Sequence, residues 1–180
     1  MNIIEMKRSR LEQVASIRQG LWQKPDLCWL FFEATTRCNL HCQHCGSWCG
    51  NTGKDLEPEM VVKALNGLDP FRVMIAITGG EPMLHPAIYE IGHAIAERGF
   101  RWGMTSNATT IDNLAAGRLK DAGMRTIAVS LDGQEQTHDS LRGRKGAWRN
   151  ALDGIHALID SGFVPQITTV VHPSNLHELP

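Results

Sequence analysis

One repeating unit limits what this 180-residue sequence can fold into: a short apolar run, a polar loop, an amphipathic stretch and a glycine. Apolar or β-branched runs occupy residues 28–35, 72–78, 100–105, 126–131 and 164–171, each the length of a strand, and the first, rich in aromatic residues, reads as a buried strand. Between them lie four helical stretches. The first opens at Glu57-Pro58-Glu59, with proline in its first turn and Val61, Val62, Leu65 and Leu68 inward. The second starts near Pro86, carries Ile88, Ile91 and Ile95 on one face and stops at Gly99; the third has Asp112 as its cap, Leu114 and Leu119 inward and Gly123 behind. The fourth carries Trp148, Ala151, Leu152, Ile155, Leu158 and Ile159 on one stripe before Gly162, after a polar, basic loop. Five strands alternating with four helices predict an α/β fold with a parallel sheet and right-handed crossovers.

The polar punctuation of these units falls at one end of that sheet. Cys38-Asn-Leu-His-Cys42-Gln-His-Cys45 follows the first strand, Gly79-Gly80-Glu81-Pro82 the second, Ser106-Asn107 the third, Asp132-Gly133 the fourth and His172 the fifth. Active sites of parallel sheets form at the strand C-termini, where the βα loops converge. The coincidence of all five motifs at such ends is a stronger signal than any one of them.

Three thiols at Cys-x3-Cys-x2-Cys spacing can hold three corners of a cubane 4Fe-4S cluster, leaving one iron without a protein ligand. Two other metal readings stay open on the residues alone. Zinc accepts mixed sulfur and nitrogen ligands, so His41, His44 or Cys49 can complete a zinc knuckle. Cys49 can also close a four-cysteine cluster and make an inert electron carrier. Cys28 reads as a small buried residue, the tryptophans as mostly core, and the remaining histidines as mostly surface.

From about Phe31 to His172 the sequence resembles the radical S-adenosylmethionine (SAM) superfamily, and most closely the branch with a C-terminal SPASM/twitch domain that modifies peptides or tetrapyrroles. The second likeness is carried by Ser130-Leu-Asp-Gly and by His138-Asp-Ser-Leu-Arg142-Gly. The resemblance implies a partial parallel (βα)6 barrel, here truncated after strand five. It implies a 4Fe-4S cluster on Cys38, Cys42 and Cys45, and SAM held by Gly79, Gly80, Glu81 and Pro82, with the methionine ammonium near Glu81. Ser106 and Asn107 would reach the ribose or the methionine carboxylate, Ser130 would assist, and Arg142 is a candidate fork for the carboxylate. His44 stands where the family usually carries an aromatic residue. The implied chemistry is reductive cleavage of SAM to a 5'-deoxyadenosyl radical that abstracts hydrogen from a peptide, protein or tetrapyrrole, with flavodoxin or ferredoxin as electron donor. A non-catalytic iron-sulfur or zinc protein, or one subunit of a split enzyme whose barrel a second chain completes, are the alternatives.

Bulk properties set the remaining expectations. A net charge of -1 supplies no general basic field for nucleic acid, and the apolar run at 27–32 is too short to span a bilayer. Five cysteines, three of them in one loop, suit metal ligation in a reducing cytoplasm better than disulfides. Residues 1–27 are expected to form a helical extension, with a short amphipathic helix over 4–20 ending at Gly20, and residues 28–180 an incomplete core. Asn175 and Glu178 resemble a capping box, so the chain is expected to break off inside a further helix.

Overall fold

A computed structural model describes residues 3–23, 26–47 and 53–179. Trp48 and Cys49 lie outside the described residues. The elements run α1 (Ile3–Gln23), β1 (Trp29–Thr35), α2 (Pro58–Leu65), β2 (Met74–Gly79), α3 (Ile88–Glu97), β3 (Arg101–Ser106), α4 (Asn113–Asp121), β4 (Met124–Ser130), α5 (Glu135–Arg142), α6 (Ala147–Asp160) and β5 (Gln166–Thr168). Short 3-10 turns span Pro82–Leu84 and Leu176–Glu178.

The five strands form one parallel sheet in the order β1-β2-β3-β4-β5. Sequential order matters physically. Right-handed crossovers that always step the same way place every helix on one face, whereas a doubly wound sheet must reverse its strand order. The sheet is therefore an arc of a barrel. Its helix-covered face carries Leu30 and Phe32 of β1, Ile75 and Ile77 of β2, Trp102 and Met104 of β3, and Ile127 and Val129 of β4, all in the core or packed against it. Trp102 anchors this layer: it is fully buried, and its indole N–H donates to the Ala122 carbonyl at 3.0 Å.

The repeated stop signals behave as the sequence suggests. Gly99, Gly123 and Gly162 have φ of +81°, +83° and +83°, the left-handed conformation that ends a helix without a Cβ clash. Asp112 Oδ1 accepts from the Ala115 amide at 2.7 Å and caps α4.

Several expectations are corrected. The first strand packs on one face only: Leu30 and Phe32 are partly buried against the core, while Trp29 and Phe31 are 49% and 65% exposed, because among the described residues no helix covers the inner face of the arc. The fifth strand shrinks to three exposed residues, since it is an edge paired with β4 alone. In α4 the buried set is Ala115, Ala116 and Leu119, which rotates Leu114 out to solvent. On α6 the inward stripe favours small residues, and Ile159 is exposed. A Cβ on Gly154 would lie 2.2 Å from the Ala108 carbonyl oxygen, so close packing there selects size over hydrophobicity.

The N-terminal helix runs on through Gly20 to Gln23 and buries no residue. Cys28 is exposed, and among the described tryptophans only Trp102 is fully buried. The predicted capping box does not form. Asn175 instead accepts from the His172 amide and donates to the carbonyls of Asp132 and Val170, while Glu178 takes the Gln134 amide and the Thr137 hydroxyl. Among the described residues, no helix is long and apolar enough to cross a membrane.

Candidate active site at the strand C-termini

The cysteine loop is built on Thr35 and Arg37. Thr35 Oγ1 donates to Asp55 Oδ1 at 2.6 Å and accepts from the Arg37 amide. The Arg37 guanidinium forks onto the Asp55 carboxylate at 3.1 and 2.7 Å and reaches the Leu84 carbonyl at 2.7 Å. The Thr35 hydroxyl, aided by Arg37, holds the Asp55 carboxyl below its ordinary range. On this base the Gly79-Gly80-Glu81 segment runs alongside the loop: the Gly80 amide donates to the Thr35 carbonyl at 2.7 Å and the Glu81 amide to the Arg37 carbonyl at 2.8 Å. The approach leaves no room for a side chain. A Cβ on Gly80 would lie 2.1 Å from the Arg37 carbonyl oxygen, and Gly79 has φ of +130°.

Glu81 is a fully buried carboxylate. Oε1 accepts from Ser106 Oγ at 2.7 Å and from the Met83 amide at 3.1 Å, and Oε2 accepts from the Asn107 amide at 2.7 Å. Burial pushes its pKa up, against the lowering pull of those three donors. Ser106 Oγ also accepts from the Ala108 amide, and Asn107 ties the β3 loop to Asn39 of the cysteine loop at 2.9 Å. Pro82 is buried at the start of the 3-10 turn.

The opposite wall comes from α5, in a stretch that sequence reasoning assigned to a loop. Its polarity hides the pattern, but His138, Leu141 and Arg142 share one buried face at i, i+3, i+4 spacing. The His41 and Gln43 amides donate to the carbonyls of Arg142 and Leu141 at 3.1 and 2.9 Å, which fastens the cysteine loop to the end of α5. Arg142 Nη1 lies 3.7 Å from Cys42 Sγ. Its Nε sits 2.8 Å from Asp132 Oδ2, a carboxylate with no solvent exposure that also lies 3.5 Å from His44 Nε2. Burial, with Arg142 adding to it, depresses the pKa of both His44 and His138. His138 and His85, expected at the surface, are both buried: the Asp132 amide donates to His138 Nδ1, and His85 Nε2 lies 3.0 Å from the Leu56 carbonyl.

A single cavity of about 230 Å³ gathers most of the candidate residues. Cys38, Cys42, Cys45, Gly79, Gly80, Glu81, Ser106, Asn107, Ser130 and Arg142 all line it, and Pro82 does not. His172 does not line it either; it bonds locally to Ser174 and Asn175. His44 lines it, as do the hydroxyl-bearing Thr78, Thr105 and Thr168, which sequence reasoning had not singled out. Asp132 was visible only as half of a strand-end turn.

The donor set suits an iron-sulfur cluster. Burial raises the Cys38 thiol, and the nearby Glu81, Cys42 and Cys45 add to that rise, so three thiolates here need a cationic group between them. A cubane spreads three cysteines over three separate irons, and Cys38, Cys42 and Cys45 all line the one cavity.

A family model, the Radical SAM superfamily, matches residues 32–180. The chain belongs to the radical SAM superfamily. That is a superfamily of enzymes whose cofactors are a 4Fe-4S cluster and SAM. The chain is 32% identical over 165 residues to the Fe-coproporphyrin III synthase of Methanosarcina barkeri, covering 88% of this chain and 40% of that protein. It is 33% identical to the AdoMet-dependent heme synthase of Nitratidesulfovibrio vulgaris, over 81% and 41% of the two. This radical SAM chain thus spans about two-fifths of the length of these relatives. Among solved structures, Streptococcus suis SuiB bound to the precursor peptide SuiA superposes with a TM-score of 0.73 at 18% identity, over 99% of this chain and 40% of that one. Native anSMEcpe with bound AdoMet superposes with a TM-score of 0.65 at 21% identity, over 81% and 44%. At such identities the likeness speaks for the fold, the partial barrel of radical SAM enzymes.

Proposed function

We propose that Cys38, Cys42 and Cys45 hold a 4Fe-4S cluster with one open iron, and that Gly79, Gly80, Glu81, Pro82, Ser106, Asn107, Ser130 and Arg142 form or support the adjoining SAM site. The observation that carries this reading is that the three cysteines, both glycines and Arg142 face one cavity at the strand C-termini. When bound, the cluster and SAM supply a 5'-deoxyadenosyl radical that takes hydrogen from a substrate.

The protein's own contributions follow from its geometry. The glycine backbone lets a ligand approach closely, and the main chain of residues 79–81 borders the cysteine loop. The side chains of Glu81, Ser106 and Asn107 brace the β2 and β3 ends against each other and against the loop. Arg142 supplies fixed positive charge beside Cys42, suited to a carboxylate. The half-buried cavity limits water around a reactive intermediate.

The substrate we propose is a peptide, protein or tetrapyrrole in a maturation pathway. Support comes from relatives named as heme synthases and from the Bacillus subtilis proteins SkfB, a sporulation killing factor maturation protein, and AlbA, a subtilosin biosynthesis protein, at 26% and 30% identity. A flavodoxin or ferredoxin would deliver the electron, and an oxygen-sensitive cluster suits a reducing cytoplasm. In this reading residues 1–27 form a helical extension and residues 28–180 the catalytic core.

The test is anaerobic reconstitution with iron and sulfide, then low-temperature EPR of the reduced protein with and without SAM, and assay of 5'-deoxyadenosine. The expected result is a cubane signal that SAM alters, lost in each of Cys38→Ala, Cys42→Ala and Cys45→Ala and kept in Cys49→Ser. A signal indifferent to SAM that needs Cys49 would overturn the reading in favour of a closed cluster.

A further inference from the structure

Asp132 has no exposed surface, and all its polar atoms but Oδ2 are hydrogen-bonded. Its Oδ1 accepts from the Val170 amide at 3.0 Å, its amide donates to His138 Nδ1 at 3.0 Å, and its carbonyl accepts from Asn175 Nδ2 at 2.9 Å. Its Oδ2 faces two side chains of the candidate site, Arg142 Nε at 2.8 Å and His44 Nε2 at 3.5 Å. The Arg142 approach is close but out of line for a straight hydrogen bond, so the contact is chiefly one of charge. The residue is therefore fixed through its main chain by His138 of α5 and by Asn175, and through its carboxylate by the Val170 amide just beyond β5, and it presents its other carboxylate oxygen to the cysteine side.

Arg142 is held at both ends of its side chain. Its main-chain carbonyl receives the His41 amide, Nε faces Asp132 and Nη1 faces Cys42 Sγ, which leaves Nη2 without a partner among the described residues. A guanidinium carries its donors in one rigid plane, so fixing Nε and Nη1 fixes the direction of Nη2 as well. Without Asp132 the same cation would be nine-tenths buried with no counter-charge and would swing toward water.

We propose that Asp132 is a positioning residue that sets the plane of Arg142, and with it His44, so that the guanidinium offers its remaining donor to the SAM carboxylate. The proposal rests on the SAM-binding reading above. It goes beyond that reading in assigning the site's affinity to a residue that touches neither cluster nor SAM.

Asp132→Asn isolates this role. An asparagine keeps an oxygen for the Val170 amide but turns an N–H group toward Arg142 Nε, placing donor against donor and removing the counter-charge of the guanidinium. The experiment uses the whole chain, anaerobically reconstituted, with the SAM dissociation constant read by equilibrium dialysis and by the SAM concentration that half-converts the EPR signal. Asp132→Asn is expected to weaken SAM at least tenfold with iron content unchanged. Arg142→Ala is expected to weaken it similarly, and the double variant to be no weaker than Arg142→Ala within about twofold, since residues acting through one another are not additive. Wild-type affinity in Asp132→Asn, or losses that multiply in the double variant, would overturn the proposal.

Arg142→Lys provides a variant that leaves Asp132 a cationic partner, and it too should lose affinity because an ammonium cannot hold the planar geometry. If the wild-type chain itself shows no response to SAM, the cofactor reading fails and amide hydrogen exchange over residues 38–45 of the cluster-free protein decides the positioning role. Faster exchange of that segment in Asp132→Asn supports it, and unchanged exchange refutes it.

Discussion

Glu81→Gln tests whether the buried carboxylate is a structural clamp, and the structure sets the size of the effect. Three donors converge on Glu81: the Ser106 hydroxyl and the amides of Met83 and Asn107. A glutamine has one acceptor oxygen. With that oxygen at the Oε1 position, its NH2 group confronts the Asn107 amide; flipped, it confronts the Met83 amide. Either way one main-chain N–H loses its partner, which costs about 1–3 kcal/mol. For a chain of 180 residues that corresponds to a melting point lower by about 2–12 °C. A second effect opposes the first, because the amide is neutral and escapes the penalty of burying a charge. The two separate by pH. Burial raises the folded-state pKa of Glu81 above its ordinary 4.5, so its protonation contributes stability that is fully present below 4.5 and is lost as pH rises through the raised value. A protonated carboxyl still accepts on both oxygens, whereas an amide nitrogen does not. The wild-type advantage over Glu81→Gln should therefore be largest at the acidic end of the accessible range and narrow toward neutral pH. Urea unfolding of both cluster-free proteins across a pH series measures this gap directly. A variant at least as stable as wild type at the acidic end, or a gap that widens with pH, would refute the reasoning.

Two further substitutions probe the scaffold of the cysteine loop. Gly80→Ala, whose Cβ would fall 2.1 Å from the Arg37 carbonyl oxygen, should lower unfolding stability by about 1–3 kcal/mol, whereas Gly117→Ala in α4, with nothing within 4 Å, should raise it by about 0.5–1 kcal/mol. Denaturant midpoints of the pair give an internal control for the steric argument. Arg37→Ala removes the fork onto Asp55 and the bond to the Leu84 carbonyl; both side chains of that pair are about one-third exposed, so the expected loss is about 1–2 kcal/mol, with faster proteolysis near residues 36–47 as the second readout.

The barrel arc was legible in the sequence because its signals are local. Helix faces such as Ile88, Ile91 and Ile95, the cap at Asp112 and the three stop glycines each act within one or two turns. The failures lie where burial depends on distant partners. Periodicity cannot tell that helices cover one side of the sheet only, and so the alternate residues Trp29 and Phe31 look like core in the sequence and are exposed in the fold. Nor can it foresee that α6 meets the Ala108 turn so closely that Gly154 and alanines face inward. The α5 helix escaped because it is polar almost throughout, and its buried face carries His138 and Arg142 beside Leu141.

That same helix shows why the motifs of the site were readable and their connections were not. Cysteine spacing and a glycine pair constrain their neighbours in sequence, so they stand out in one dimension. The contacts that join them span 25 residues from Glu81 to Ser106, 68 from Asn39 to Asn107 and 100 from Cys42 to Arg142. Nothing in the residue types alone says that Ser106 and Asn107 bond to a carboxylate and an amide of their own chain. Burial decides it, because a polar group removed from water must find a partner inside the protein, and these residues find one another. Residues in or behind such a site can therefore be necessary to it in two distinct ways, by offering donors to a ligand or by holding still the residues that do. Asp132 and Glu81 have the geometry of the second kind, and in the proposed site the first kind would be left to the glycine backbone, the cysteines and the outer edge of Arg142.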